Sequence, residues 1–436
     1  MLTSLDPHLA LYAIPLVAIW TVYLGMRRRR EGRNRTARAE AIEAGLTEPA
    51  SLHPRIDPVR CLGCGACARA CPEGDILGLI NGKAVLVEPT SCIGHGACKA
   101  ACPTGAISLV FGSETRGVEL PRVGPDFQTN VPGLFIAGEL GGMGLIRNAI
   151  EQGRQAIESV RRLDGIGRPD ALDVVIVGGG PAGFSASLAA LAGKLRFLTF
   201  EQDTFGGTVA HYPRGKLVMT APATLPLIGR VRFREVSKEK LLSFWQEAAG
   251  KTGLQIRYGE RVDAVQRTPS GFVVRTAHGS YACRAVVLAI GRRGTPRKLE
   301  VPGEEQPKVV YRLVDPEQYQ GKHVLVVGGG DSALEAAASI AEQPGTVVGL
   351  SYRGEAFGRA KPKNRARIEE AAQLGTLTVM LGSKVSAIGC EDVRLDWRER
   401  EISIRNDAVI VCAGGILPTP FLKSMGIDVE TKYGTA

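Results

Sequence analysis

Seven of the ten cysteines in this 436-residue chain lie between residues 61 and 102, and one spacing pattern occurs there twice. The first run reads CLGCGACARACP and contains Cys61, Cys64, Cys67 and Cys71. The second run reads CIGHGACKAACP and contains Cys92, Cys98 and Cys102. Thiolates at these intervals bind iron–sulfur clusters, because a tight loop of small residues turns three sulfurs toward the irons of one cube. The spacing therefore predicts cluster ligands rather than a disulfide framework.

Both runs resemble those of bacterial two-cluster ferredoxins, in which the fourth cysteine of a run binds the other cluster. By that resemblance, the first cluster takes Cys61, Cys64, Cys67 and Cys102. The second cluster takes Cys71, Cys92 and Cys98. Zinc is the alternative metal for paired cysteines, but two copies in the same register, each ending in Cys-Pro, favour clusters.

His95 stands where the second run should have its middle cysteine. Three interpretations are open: His95 ligates the fourth iron, the site holds a three-iron cluster, or water or hydroxide completes it. We favour ligation, because a neutral imidazole replaces thiolate on iron in known proteins and raises the reduction potential.

A glycine-rich turn follows the apolar stretch 173–177 and precedes an alanine-rich helical stretch. Its G-x-G-x-x-G pattern consists of Gly178, Gly180 and Gly183, with Pro181 and Ala182 between the last two glycines. Such glycines allow a tight turn and bring a pyrophosphate close to the helix N-terminus. The next apolar strand ends at Glu201, where an acid binds the ribose hydroxyls. The combination predicts a dinucleotide-binding α/β fold.

The same pattern recurs after the apolar stretch 323–327. It consists of Gly328, Gly330 and Ala333, with Asp331 and Ser332 between the last two. The following strand ends in Tyr352-Arg353, with further basic residues at Arg359, Lys361 and Lys363. Because arginine accommodates a 2′-phosphate where an acid would bind a free hydroxyl, the sequence favours NADPH over NADH. If these residues only form a solvated helix start, the nucleotide stays open.

Residues 173 to 436 resemble the thioredoxin-reductase-like flavoproteins, which carry two dinucleotide folds. The resemblance implies FAD on the first fingerprint, NAD(P)H on the second, and a homodimer. The reductases of that family use a CxxC pair near the second fingerprint, whereas Cys283, Cys390 and Cys412 are isolated here, which excludes a dithiol relay. The chain is therefore similar to the branch without CxxC, namely ferredoxin–NADP reductases and bacillithiol-disulfide-reductase-like proteins. The latter resemblance lies in the stretch from Gly206 to Pro222, which includes Gly207 and also His211 and Tyr212, expected either over the flavin or in a structural role.

Members of this family close with a stretch similar to T-x-x-P-G-L-F-A-x-G-D and a helix that faces the flavin. That stretch lies upstream here, as TNVPGLFIAGE at 129–139, followed by NAIEQGRQAIESV. By the resemblance, Gly138 and Glu139 bind FAD, with Glu139 at the ribityl chain, and the helix start faces the N1–C2=O end of the flavin. We interpret this as a circular permutation; a decayed duplicate and a swap between protomers are the alternatives.

The amino-terminal stretch from Leu9 to Met26 is uncharged and is followed directly by four arginines. As a helix it would rise about 27 Å, so that its length predicts a membrane anchor at 1–27 in spite of Pro15. The positive-inside rule then puts the amino terminus outside and the catalytic part in the cytoplasm, at the cell membrane. A buried or interfacial helix is the alternative.

The arginines that follow this stretch account for much of the net charge of +10. Because no aromatic residues are interleaved with them, they do not indicate nucleic-acid binding.

The expected fold class is α/β, with two Rossmann-like dinucleotide-binding domains preceded by a transmembrane helix and a small α+β two-cluster ferredoxin domain. The expected domains are the anchor at 1–27, a basic linker at 28–55, the ferredoxin domain at 56–112, the FAD domain at 117–290 completed by 408–436, and the NAD(P) domain at 291–407; residues 117–165 are the displaced closing segment. The expected activity is electron transfer between NAD(P)H and two iron–sulfur clusters via FAD. The partner is an unknown redox protein or membrane electron carrier. The chemistry belongs to the cofactors, so no catalytic side chain is expected. A low-molecular-weight disulfide reductase and a redox sensor without turnover are the alternatives.

Overall fold

The computed structural model describes residues 7–43, 46–47, 49, 52–92, 94–114, 117–142, 144–169, 171–212, 214, 217–219, 222–231, 236–292, 295–358 and 360–434. The chain divides into two compact units, one formed by Met1–Phe111 with Gly434–Ala436 and the other by Gly112–Tyr433.

The first unit contains short strands around the cysteine loops. Its elements are α1 (Pro7–Glu43), β1 (His53–Ile56), α2 (Ala66–Ala70), β2 (Leu77–Ile80), β3 (Lys83–Leu86), α3 (Ala97–Ala100) and β4 (Ile107–Val110). β1 pairs antiparallel with β4, and β2 pairs antiparallel with β3. α2 and α3 each begin directly after a glycine in the left-handed region, Gly65 with φ 71° and Gly96 with φ 78°. The internal repeat of the sequence is therefore also a repeat of structure.

The long amino-terminal helix corrects the prediction of a membrane anchor. α1 continues from the apolar stretch through the arginines to Glu43. The uncharged stretch from Leu9 to Met26 rises about 27 Å, less than the roughly 30 Å of a hydrocarbon core. Among the described residues, no helix combines the length and the apolar character that crossing a membrane requires. The predicted transmembrane helix, its outward amino terminus and the cell-membrane location are therefore wrong.

The segment predicted as a basic linker is helical up to Glu43 and packs on β2 and the turn that follows it. Asn34 is buried, and its Nδ2 donates a hydrogen bond to the carbonyl oxygen of Leu79 at 3.1 Å. The amide of Asn81 donates to Glu31 Oε1 at 2.9 Å, and Arg35, one turn further along, binds the same carboxylate at 2.8 Å. These contacts explain why the helix does not end where the apolar residues do.

The second unit contains two large sheets. The elements before residue 290 are β5 (Val118–Pro121), β6 (Leu134–Ile136), α4 (Ile146–Val160), β7 (Leu172–Val177), α5 (Pro181–Ala192), β8 (Phe197–Phe200), β9 (Leu217–Met219), β10 (Ala223–Leu225), β11 (Gly229–Val231), β12 (Val236–Ser237), α6 (Lys238–Thr252), β13 (Val262–Thr268), β14 (Gly271–Thr276) and β15 (Gly279–Leu288). Those that follow are β16 (Thr295–Pro296), β17 (Val309–Val310), β18 (His323–Val327), α7 (Asp331–Ala341), β19 (Val347–Tyr352), α8 (Pro362–Gln373), β20 (Leu377–Leu381), β21 (Lys384–Ile388), β22 (Asp392–Trp397), β23 (Arg400–Arg405), β24 (Ala408–Val411), β25 (Gly415–Ile416), α9 (Thr419–Ser424) and β26 (Val429–Lys432).

The first sheet has six strands in the order β13-β14-β15-β7-β8, with β6 paired to β15. β15 pairs antiparallel with β14 and parallel with β7 and β6. β7 from Val174 onward and the end of β15 are continuous apolar runs, and β8 is apolar except for Thr199, as expected for parallel strands covered on both faces. One face is covered by α4 and α5 through a core that includes Ala156, Ile157 and Ala186.

The second sheet has five parallel strands in the order β17-β24-β18-β19-β20, and β21, β22 and β23 form a separate antiparallel sheet. β24 pairs with β17 and β18, so residues 408–411 belong to this sheet and not to the first. The predicted domains assign residues 408–436 to the FAD domain, whereas the four residues of β24 lie in the second sheet. The physical reason is that the apolar run at 408–411 fills the gap between β17 and β18, which do not pair with each other.

The segment predicted to be displaced lies in the first sheet and on its helical face, within the same chain. β6 pairs with β15 in parallel register from Leu134 to Ile136. α4 packs closely on α5, because a β-carbon at Gly153 would lie 2.0 Å from the carbonyl oxygen of Ala182. The last strand, β26, pairs antiparallel with β5. Strands near both ends of this unit thus form one two-stranded sheet.

Candidate cluster and dinucleotide sites

One cavity of the first unit is lined by four cysteines, three from the first cysteine run and one from the second. These are Cys61, Cys64, Cys67 and Cys102, the set predicted for the first cluster. Ile56, Ala84 and Ile107 contribute to its wall. A β-carbon at Gly63 would lie 1.9 Å from the carbonyl oxygen of Gly82, so this loop passes against the β2–β3 turn at a distance that only glycine allows.

Backbone amides point at the sulfurs of this cavity. The amide of Ala84 donates to Cys61 Sγ at 3.4 Å, and that of Ala106 donates to Cys102 Sγ at 3.3 Å. A hydrogen bond with Thr104 lowers the pKa of the Cys102 thiol, while burial raises that of Cys67. Hydrogen bonds to sulfur stabilise the thiolate form and tune the potential of a bound cluster.

The three cysteines predicted for the second cluster, Cys71, Cys92 and Cys98, lie close enough to influence one another's pKa. Burial raises the pKa of the Cys92 thiol to about 11, and the charges of Cys98 and Cys71 add to the rise. Burial also raises the pKa of Cys98, to which Cys71 contributes. His95, half-buried here, has its Nε2 3.3 Å from Glu73 Oε1.

The donor sets fit iron–sulfur clusters. In the described parts of the chain, no three or more His, Cys, Asp or Glu side chains are arranged to hold one metal ion. The cysteines instead form one group of four around a cavity and one predicted group of three, and thiolates are the usual ligands of iron–sulfur clusters.

The first glycine fingerprint connects β7 to α5. A β-carbon at Gly183 would lie 1.7 Å from the carbonyl oxygen of Gly178, so the helix touches the turn. Gly180 is the N-cap of α5, Pro181 and Ala182 are its first residues, and the helix N-terminus lies open in front of them. A β-carbon at Gly180 would meet no atom of the described residues within 4 Å, which leaves space for a phosphate at this backbone.

Glu201 follows β8 and lies beside the fingerprint. It is buried, and its carboxylate accepts hydrogen bonds from the amides of Gly179 at 2.7 Å and Asp203 at 3.0 Å. Gly207 lies against both the fingerprint and Glu201: a β-carbon at Gly207 would lie 3.0 Å from Gly180 Cα and 3.6 Å from Glu201 Oε2. The carboxylate is therefore fixed in place and keeps free acceptor capacity for ribose hydroxyls.

Gly138 and Glu139 reach the same region from the displaced segment. A β-carbon at Gly138 would lie 2.9 Å from Ala182 Cβ, and the amide of Gly138 donates to Gln152 Oε1 at 2.8 Å. Glu139 Oε2 would lie 3.9 Å from a β-carbon at Gly291, beyond the end of β15. The structure thus brings the predicted FAD residues together at the carboxyl ends of β6, β7 and β15, where α/β sheets bind their ligands.

The second fingerprint repeats this geometry between β18 and α7. A β-carbon at Gly328 would lie 2.4 Å from the carbonyl oxygen of Cys412 and 3.1 Å from Ala333 Cβ, while at Gly330, the N-cap of α7, it would meet none of the described atoms within 4 Å. Asp331 Oδ1 accepts hydrogen bonds from the amide of Lys361 at 2.7 Å and from Asn364 Nδ2 at 2.8 Å. Asp331 therefore holds the loop before α8, which contains Lys361, beside the start of α7. Ser332 is the next residue of α7.

The basic residues predicted for a 2′-phosphate lie around the end of β19. Tyr352 stacks on Phe357 and lies against Gly329, and Arg353, next in the chain, is exposed. Lys361 caps α8, which also contains Lys363. Arg359 lies outside the described residues.

His211 takes part in a charged cluster next to the FAD residues. Its Nε2 lies 2.8 Å from Asp203 Oδ2, and Arg312 lies 3.6 Å from the same oxygen. Burial lowers the pKa of His211, and Arg312 lowers it further. Tyr212 accepts a hydrogen bond from Lys238 at its carbonyl oxygen. The Asp203–Arg312 contact could not be predicted from the sequence, because the two residues are far apart along the chain.

A sequence model of one protein family matches most of the second unit and establishes the family of this chain. The model for the pyridine nucleotide-disulphide oxidoreductases matches residues 175–435. The chain belongs to this family. A model for the 4Fe-4S dicluster domain matches residues 53–103. This member of the family is thus an FAD-dependent NAD(P)H oxidoreductase that carries iron–sulfur clusters, and the predicted resemblance is confirmed.

Two proteins and one solved structure with similarity to this chain support the assignment to this family. The chain is 28% identical over 267 residues to bacilliredoxin reductase Bdr of Bacillus subtilis (strain 168), which covers 60% of this chain and 82% of the relative. It is 28% identical over 275 residues to a ferredoxin–NADP reductase of Thermus thermophilus, covering 60% and 78%. The structure of bacillithiol disulfide reductase Bdr from Staphylococcus aureus has the same fold, with a TM-score of 0.52 and 24% identity over 58% of this chain and 80% of that one.

Proposed function

We propose that the protein transfers electrons between NADPH and its own two iron–sulfur clusters through FAD, in the manner of a ferredoxin–NADP reductase with a built-in ferredoxin. The observation that carries the proposal is the cavity lined by four cysteines, because it gives the chain a one-electron site besides its two dinucleotide folds. When bound, the flavin supplies a two-electron exchange with nicotinamide and one-electron exchange with clusters.

The residues of the second unit would hold the two nucleotides. Gly178, Gly180 and Gly183 would admit the pyrophosphate of FAD, and Glu201 would bind its ribose. Glu139 would bind the ribityl chain, next to the N-terminus of α4. Gly328, Gly330 and Ala333 would admit the nicotinamide nucleotide, and Arg353 would pair with its 2′-phosphate.

The thiols outside the cysteine runs give no support to a dithiol relay. Cys283 is buried in β15, and burial raises its pKa to about 12, which makes it a poor nucleophile. Cys412 follows β24 in the second sheet, and Cys390 is exposed in the loop between β21 and β22. These three lie on separate elements, so a disulfide-reducing pair within this unit has no support.

An anaerobic titration with NADPH, followed by absorbance and EPR, tests the proposal. We expect the flavin to bleach and cluster signals to appear without any added protein. Flavin reduction with clusters that respond only to dithionite, together with turnover of bacillithiol disulfide or glutathione disulfide, would favour the disulfide reductase. Reduced cofactors with negligible turnover on ferricyanide or cytochrome c would favour the sensor.

A further inference from the structure

The two cysteine runs are related by a shift of 31 residues, and the structure keeps that relation. Gly63 and Gly94 have φ of 67° and 78°, and Gly65 and Gly96 have φ of 71° and 78°. The short helices α2 and α3 follow at equivalent positions. Residues of the first cysteine run therefore have counterparts in the second run at equivalent backbone positions.

These counterparts identify a residue that the ferredoxin pattern does not include. Cys64, Cys102 and Thr104 line the first cavity. Their counterparts under the 31-residue shift are His95, Cys71 and Glu73. His95 thus replaces a thiolate ligand, and Glu73 replaces a threonine that contacts a ligand sulfur, since Thr104 Oγ1 lies 3.6 Å from Cys102 Sγ.

The two replacements contact each other. His95 Nε2 lies 3.3 Å from Glu73 Oε1, and the charge of Glu73 also reaches Cys92. When Nε2–H donates to a carboxylate, Nδ1 carries the lone pair and is the nitrogen available to a metal. Carboxylates in this arrangement commonly orient metal-bound histidines and increase their basicity.

We propose that His95 ligates the second cluster through Nδ1 and that Glu73 is a positioning residue that holds the imidazole by accepting its Nε2 proton. The proposal rests on the proposed function only in its assignment of Cys71, Cys92 and Cys98 to that cluster. Ligation replaces one Fe–S(thiolate) bond of the usual site by an Fe–N bond, and no electron or proton is transferred in forming it from the neutral tautomer.

Pulsed EPR of the reduced protein with 15N-labelled histidine tests the ligand. We expect a strongly coupled nitrogen on one of the two cluster signals, and its loss in His95→Cys with retention of a four-iron cluster. A wild-type protein that lacks this coupling, or whose isolated form shows a three-iron EPR signal with matching iron content, overturns the proposal. NADPH reduction of the flavin and the first cluster, measured in the same samples, reports separately on the proposed function.

Potentiometric EPR titration tests the role of Glu73. Because the carboxylate increases electron donation by the imidazole, Glu73→Gln should raise the midpoint of one cluster and leave the other unchanged, with the nitrogen coupling retained. His95→Cys should shift the same midpoint downward, because it adds a thiolate charge. Asp75→Asn is the matched control, since Asp75 is an exposed carboxylate two residues further along that pairs with Arg33. Equal midpoints in wild type and Glu73→Gln, or a shift as large in Asp75→Asn, overturn the positioning role.

Discussion

At the residue scale, substitutions at Gly180 and Gly330 should affect cofactor binding without disturbing the fold. A methyl group at either position would meet none of the described protein atoms within 4 Å, so the fold should tolerate alanine. Both residues also have negative φ, which alanine adopts without strain. The same methyl group would lie where the pyrophosphate must approach the backbone.

We therefore expect Gly180→Ala to weaken FAD retention and Gly330→Ala to weaken NADPH binding, each by about tenfold. Each variant is the control for the other: flavin content should fall only in Gly180→Ala, and the KM for NADPH should rise only in Gly330→Ala. Flavin content and steady-state kinetics with ferricyanide measure the two effects. Full flavin content in Gly180→Ala would contradict the assigned site.

Arg353 is predicted to select the nucleotide. If its guanidinium pairs with a 2′-phosphate, Arg353→Ala should lower the preference for NADPH over NADH about tenfold, the size expected for loss of one charged hydrogen bond. The ratio of kcat/KM for the two nucleotides measures it. Arg398→Ala, which removes an arginine stacked on Trp397, is the control. An unchanged ratio would support the alternative of a solvated helix start.

Asp173 is predicted to stabilise the second unit in a pH-dependent way. Burial acts to raise its pKa, but hydrogen bonds from the amides of Arg196 at 2.8 Å and Gly167 at 2.6 Å outweigh burial and hold the pKa below its usual value. A carboxyl group with a lowered pKa contributes stability above its unfolded value of about 3.9, and this contribution is lost as the pH falls through the folded value.

Asp173→Asn should therefore lower the free energy of unfolding by about 2 kcal/mol at pH 7, and by less near pH 3. Urea unfolding followed by flavin fluorescence at both pH values measures the difference. Asp263→Asn, at an exposed carboxylate 3.9 Å from Arg261, should change little at either pH. An effect of Asp173→Asn that does not depend on pH would show that the charge is not the cause.

At the element scale, the contact of α4 with α5 joins the displaced segment to the FAD fingerprint. A β-carbon at Gly153 of α4 would lie 2.0 Å from the carbonyl oxygen of Ala182 and 3.1 Å from the amide of Ala186. Gly250 of α6 faces no described atom within 4 Å. The two helical glycines therefore provide a matched pair.

Gly153→Ala should destabilise the unit by about 1–3 kcal/mol, because backbone must move to accept the methyl group. Gly250→Ala should stabilise it by up to about 1 kcal/mol through helix propensity alone. Thermal unfolding of the purified variants, with flavin release followed in parallel, measures both. Similar melting temperatures for the two variants would contradict the close packing of α4 on α5.

The elements also show what could be predicted from the sequence. Continuous apolar runs followed by glycines identified β7 and β18, because periodicity and turn chemistry agree there. The predicted end of the anchor at residue 27 is not the end of a helix, because a change in hydropathy does not end one. Residues 27–43 are rich in Arg, Ala and Glu, which favour a helix, and this part of α1 contacts β2. Glu73 was missed because its contact with His95 joins two loops, although the 31-residue repeat, compared position by position, could have indicated it.

At the scale of the whole molecule, the two units differ in what stabilises them. The core of the second unit consists of large aliphatic and aromatic clusters around its sheets. One packed cluster of the first unit has seven buried members, and three of them are the predicted ligands Cys61, Cys67 and Cys98. The part between β1 and β4 is short, and in a domain of that size a metal or another cross-link commonly adds stability that a small core does not supply; clusters would supply it here.

Removal of the iron should therefore unfold the first unit and leave the second folded. After anaerobic treatment with ferricyanide and EDTA, we expect amide hydrogen exchange to become fast across residues 53–110, because the cluster bonds that replace a hydrophobic core are gone. Exchange across residues 172–290 should stay slow, and NADPH should still reduce the bound flavin, because that unit keeps its own core. Mass spectrometry of peptides from both ranges, before and after reconstitution with iron and sulfide, measures the change. Unchanged protection at 53–110 would mean that the short strands hold the cysteine loops without iron, and that the clusters contribute to electron transfer but not to folding.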